Sequence, residues 1–84
     1  MRRILFIYIG NEDVVESKKI IAILEYQLFH SSPQLRKLIA KRERNNCVFG
    51  SVEDAKAIII TDSDIYYSPF STLTLKKRDE LYEL

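Results

Sequence analysis

The stretch from Lys56 to Arg78, KAIIITDSDIYYSPFSTLTLKKR, decides the fold. Ala57 to Thr61 is a β-branched run, Asp62-Ser63-Asp64 is a turn, and Ile65-Tyr66-Tyr67 is a second run of strand formers. Together they predict a hairpin with strands over about 56–61 and 65–68. Pro69 cannot donate to a ladder, and Ser71 is placed to cap a helix over about 71–83 that carries Leu73, Leu75, Leu81 and Tyr82. Lys76-Lys77-Arg78 interrupts those apolar positions, so the helix has no clean stripe and is expected to touch more than one neighbour.

Upstream, Ile4 to Ile9 is apolar throughout, with Phe6 and Tyr8 on one alternating face and Leu5, Ile7 and Ile9 on the other. This predicts a strand over about 3–9 buried on both sides. Gly10-Asn11 turns the chain into a short strand over about 13–16, and Ser17-Lys18-Lys19 breaks it again. Ile20 to Tyr26 reads as a third strand, a helix being the alternative because Ala22, Leu24 and Glu25 are good helix formers. Ser32-Pro33 starts a helix over about 32–45, since Ser can cap free N–H groups and Pro at the first position has none to satisfy. Leu35, Leu38 and Ile39 form its core stripe, Lys37, Lys41 and Arg44 stand opposite at i, i+4 and i+7, and Arg36 lies on the flank. On spacing alone that basic stripe reads as a solvated face. Asn45-Asn46 closes the helix, Cys47 to Phe49 is a short strand, and Ser51 to Ala55 is a polar, acidic loop. The result is a single α+β domain over 1–84, built from short antiparallel strands and two helices.

At 84 residues a chain buries only about 60–65% of the surface its unfolded form exposes. The 46% apolar content, with five tyrosines and four phenylalanines, therefore points to burial against further copies of the chain. A net charge of +1 is far from the balance of a general nucleic-acid binder, so any DNA contact must come from local distribution. One cysteine, Cys47, excludes an internal disulfide and fits a cytoplasmic protein. No apolar run approaches the length of a membrane span, and the N-terminal run stops at Gly10 without a cleavage site.

Residue chemistry points to no enzyme, metal or cofactor. Asp62 and Asp64 stand two apart, but no further oxygen ligands follow them, so they read as turn residues. His30 and Cys47 form no recognisable dyad: His30 reads as a loop residue and Cys47 as a small buried hydrophobe. Gly10 and Gly50 belong to no phosphate-binding loop. Tyr66 and Tyr67 point to opposite faces of their strand and make no paired stacking platform.

The order and spacing of these segments resemble the RemA/RemB regulators of extracellular-matrix (biofilm) genes in Gram-positive bacteria. The strand closing on Ile9-Gly10, the segment Val14 to Leu24, Ser32-Pro33 and Ala57 to Asp64 resemble the RemA branch. The tail Tyr66-Tyr67-Ser68-Pro69 through Thr74-Leu75-Lys76-Lys77-Arg78 is more similar to the RemB branch. The resemblance implies a non-enzymatic, cytoplasmic transcription regulator that assembles into a homo-oligomeric ring. In the RemA branch arginines around the ring bind double-stranded DNA. In that branch the basic sites lie after the second strand, early in the first helix and in a Gly-Arg-Arg-Thr-Arg loop; Lys19 matches the first, Arg36 the second, and Lys56 the last arginine of the loop. The paired arginines of that loop fall on Glu53 and Asp54, acids that repel phosphate in every subunit. Two readings follow: a homo-oligomeric regulator touching the DNA backbone without base readout, and an interaction module of the same fold that has lost DNA binding.

Overall fold

The computed structural model describes residues 6–81. Its elements in order are β1 (Phe6–Gly10), β2 (Asp13–Glu16), a 3-10 turn (Ser17–Lys19), β3 (Ile20–Glu25), α1 (Leu28–Ser31), α2 (Pro33–Arg44), β4 (Val48–Phe49), β5 (Ala57–Thr61), β6 (Ile65–Ser68) and α3 (Thr72–Leu81). The α+β class is as expected. Residues 3–5 of the first expected strand, and Tyr82 and Glu83 of the last expected helix, lie outside the described residues.

β5 is the centre of a four-stranded sheet ordered β3-β5-β6-β4. It is buried along its whole length, and consecutive side chains serve opposite faces. Ile58 and Ile60 pack with Ile65, Tyr67 and the α2 residues Leu35 and Ile39. Ala57 and Ile59 pack on the other side with Ile7, Ile9, Val15 and Leu75, which come from the separate β1-β2 hairpin and from α3. An unbroken apolar run is what a strand covered on both faces requires.

Local sequence chemistry places the flanking elements. Ser32 Oγ accepts from Leu35 N–H at 3.2 Å, and Pro33 is the first residue of α2. Asn46 takes φ 58° just past the end of that helix, the left-handed conformation in which an asparagine can close it. Ser71 Oγ accepts from Thr74 N–H at 3.1 Å and starts α3 as expected. Gly50 has φ +95°, and a Cβ there would lie 2.5 Å from the Tyr67 carbonyl oxygen, so the turn into the acidic loop needs glycine. No helix among the described residues is long and apolar enough to cross a membrane.

Several expectations need correction. β1 is buried on one side only: Ile7 and Ile9 face the core, whereas Phe6 and Tyr8 are 57% and 48% exposed. The hairpin it forms with β2 lays a single face on the molecule, and Val14, opposite Tyr8, is exposed as well. β4 is two residues long and pairs with β6 in parallel, while the other pairings are antiparallel. A third helix, α1, contains His30, which is therefore not in a loop. Cys47 is half-buried, with Sγ 3.3 Å from the Asn45 carbonyl oxygen, and is not a core residue. By contrast, α3 touches more than one neighbour as expected, meeting both β1 and β3, with Leu75 fully buried and Leu73 exposed.

Candidate nucleic-acid interface

Lys19, Arg36 and Lys56 do not form one cluster. Lys19 precedes Ile20, which pairs with Thr61 at one end of the β3-β5 ladder. Lys56 stands at the other end, where its carbonyl accepts from Tyr26 N–H at 3.0 Å. The six residues of β3 separate the two ends by about 20 Å. Arg36 belongs to the Lys56 end, because it bonds the carbonyls of Phe29 and His30, whose rings pack on Tyr26.

The three cations differ in what holds them. Lys19 Nζ lies 3.7 Å from Glu16 Oε2 with its side chain 59% exposed, an exposed pair of the kind that contributes about 0–1 kcal/mol and leaves the ammonium able to meet phosphate. Lys56 is exposed and lines a groove of about 290 Å³ with Glu25, Tyr26, Ser71 and Thr72. Arg36 is half-buried, and its Nη1 donates at 2.7 Å to Phe29 O and at 3.0 Å to His30 O. Those bonds close the C-terminal end of α1, so Arg36 has a structural task whatever else it contacts.

Glu53 and Asp54 occupy the exposed loop before Lys56. The loop is shaped by Ser51 Oγ, which accepts from Glu53 N–H at 3.2 Å. The acids thus stand at the same end of the sheet as Lys56, and Glu25 adds a third carboxylate beside it.

The other candidates separate clearly. His30 lies at the Tyr26 end, whereas the Cys47 carbonyl accepts from Ile65 N–H at the opposite end, so the two are not brought together. In the β5-β6 turn the backbone is bonded by Thr61 Oγ1, which accepts from Asp64 N–H at 2.8 Å and from Ser63 N–H at 3.4 Å. Thr61 thus performs the turn chemistry expected of the aspartates, while Asp62 and Asp64 accept from Ser63 Oγ. Among the described residues, no group of three or more His, Cys, Asp or Glu side chains could hold a metal ion. Tyr66 stacks on Phe49 at 5.3 Å between ring centroids, while Tyr67 is buried on the α2 side near Tyr26, as opposite faces require. Burial, followed by the fields of Asp64 and Asp13, raises the Tyr66 pKa; burial, followed by Glu43 and Tyr26, raises that of Tyr67.

Two arginines with defined positions were not anticipated. Arg42 Nη1 donates at 2.8 Å to both Thr61 O and Asp64 O, pinning the C-terminal part of α2 to the β5-β6 turn. Its signal was readable: Arg42 falls three residues after Ile39 and seven after Leu35, on the inward stripe of α2. Arg78 Nη1 donates at 2.8 Å to Tyr8 O, and its guanidinium sits 4.5 Å from the Phe70 ring centroid. Nothing in the run Lys76-Lys77-Arg78 distinguishes that residue from its neighbours.

Residues 6–78 match the RemA-like family, described as "Extracellular matrix regulatory protein A-like". The chain is also 32% identical over 74 residues to extracellular matrix regulatory protein B of Bacillus subtilis (strain 168), covering 88% of this chain and 89% of that protein.

Proposed function

The chain belongs to the RemA-like family of extracellular matrix regulators, and on that premise we propose that it is a non-enzymatic, cytoplasmic transcription regulator. It assembles into a homo-oligomer and touches the backbone of double-stranded DNA through Lys19, Arg36 and Lys56, without reading bases. The family match over residues 6–78 carries this reading. Physical support comes from the exposure of Lys19 and Lys56 and from the repetition of weak phosphate contacts that an oligomer supplies.

Light scattering of the purified protein, with anisotropy titration of a labelled mixed-sequence duplex at two salt concentrations, tests both parts. The expected result is a mass of several subunits and an affinity that falls steeply with salt. A monomeric mass rejects the assembly, and no salt-sensitive binding at low ionic strength rejects the DNA contact.

A second reading has its own observation. Glu53 and Asp54 are exposed just ahead of Lys56, so the same oligomer without DNA affinity, acting as a protein-interaction module, is the competing assignment.

A further inference from the structure

We propose that the outward stripe of α2, Lys37-Lys41-Arg44, is the main DNA-backbone contact of this protein, bridging the two separated ends where Lys19 and Lys56 lie. The proposal rests on the DNA-binding reading above and names the surface that carries it.

Charge is concentrated on this helix. Its twelve residues hold five Lys or Arg against one Glu, a balance of +4 in a chain of net +1, which leaves the rest at −3. The helix-terminal dipole favours cations in the last turn and so accounts for Lys41, Arg42 and Arg44. It does not account for Lys37, which stands near the start.

The five cations are also sorted by position. Arg42 lies on the inward side and is held by the β5-β6 turn, and Arg36 is held by the end of α1. Lys37, Lys41 and Arg44 are exposed, and among the described residues no carboxylate pairs with them within 4.0 Å, the ion pair formed being Lys19 with Glu16, outside this helix. Glu43 follows Arg36 by seven residues and shares its flank, so the outward row of Lys37, Ala40, Lys41 and Arg44 contains no acid. A row of cations without internal partners is complementary to a polyanion.

Through Arg36 the helix begins at the Tyr26-Lys56 end of the sheet, and through Arg42 it finishes at the Thr61-Lys19 end. Its twelve residues rise about 18 Å, close to the separation of the two ends. The two anchoring arginines fix the helix against the sheet, so the backbone positions of the stripe are set before any ligand arrives.

The test is anisotropy titration of a labelled mixed-sequence DNA duplex across a salt series. Lys37→Gln/Lys41→Gln/Arg44→Gln should weaken binding at least about tenfold and flatten the log affinity against log salt slope by about 2.7 per subunit engaged, the share of three phosphates. Glutamine keeps helix propensity, and the single change Lys41→Gln should flatten the slope by about 0.9 per subunit engaged. A charge-matched control, Lys18→Gln/Lys76→Gln/Lys77→Gln, removes three exposed lysines elsewhere and should leave the slope unchanged. If the stripe variant binds like the native protein, or the control loses as much, the α2 assignment is overturned while DNA binding stands. If the native protein itself shows no salt-sensitive binding, the DNA reading falls and the assignment falls with it.

Discussion

Arg36 Nη1 lies 2.7 Å from the carbonyl oxygen of Phe29, so a residue expected to meet phosphate is also the clamp on α1. Removing it leaves the Phe29 and His30 carbonyls without that donor. A charged donor of this kind, partly screened by solvent, contributes about 1–2 kcal/mol. Arg36→Ala should therefore lower the midpoint of urea unfolding, whereas Lys19→Ala should barely shift it. An Arg36→Ala protein as stable as the native chain would show the clamp to be unimportant.

Ser68 provides a polar tie between the two sheets. It is fully buried, donates to Ile9 O at 2.6 Å and accepts from Phe70 N–H at 3.1 Å. Ser68→Ala strands both partners and should cost about 1–3 kcal/mol. Urea denaturation followed by circular dichroism checks this; a cost below a few tenths of that range would mean that water replaces the hydroxyl.

Gly50→Ala should destabilise by more than about 1 kcal/mol, since it combines a left-handed backbone with a Cβ pressed against Tyr67 O. Thermal melting of the variant beside the native protein reads the effect, and an unchanged midpoint would contradict the geometry.

Alkaline pH offers a test that needs no mutation. Burial raises the Tyr66 and Tyr67 pKa values above the ordinary 10.0, so the folded state prefers the neutral phenols. Their contribution is fully present below the unfolded value and is lost as pH rises through the folded values. Stability should fall above pH 10, with phenolate absorbance from these two residues appearing later than that of an exposed tyrosine. Simultaneous titration of all the tyrosines at the ordinary value would refute the environment described.

The acidic loop separates the two functional readings. Glu53→Arg with Asp54→Arg should raise DNA affinity and steepen the salt slope by about 1.8 per subunit engaged, with the solution mass unchanged. If the native protein already binds as tightly as this variant, the interaction-module reading fails.

How far the sequence could be read depended on whether a residue's partner was local. The Ile run of β5, the Ser32 and Ser71 caps and the Asn46 closure depend on near neighbours and were legible from pattern. β1 was misread because its two faces are equally apolar, and nothing local reveals that Phe6 and Tyr8 look outward. A strand as short as Val48–Phe49 carries no periodicity, so its parallel pairing could not be foreseen. Positions of the candidate cations were visible, but the distance between their two ends was not, because it is set by the β3-β5 register. Arg42 has a place on the inward stripe that spacing shows, but the carbonyls it bonds lie about twenty residues away in sequence, in the β5-β6 turn.

The alternation along β5 has a consequence for how the molecule comes apart. Ile58 and Ile60 belong to the α2 layer, Ala57 and Ile59 to the layer of the β1-β2 hairpin and α3. Both layers pack on this one strand, and loss of either uncovers half of its apolar side chains, so the two should melt as one cooperative unit. Amide exchange would then show similar protection for core residues on both sides of β5, and the α2 surface would persist for as long as the hairpin behind it does.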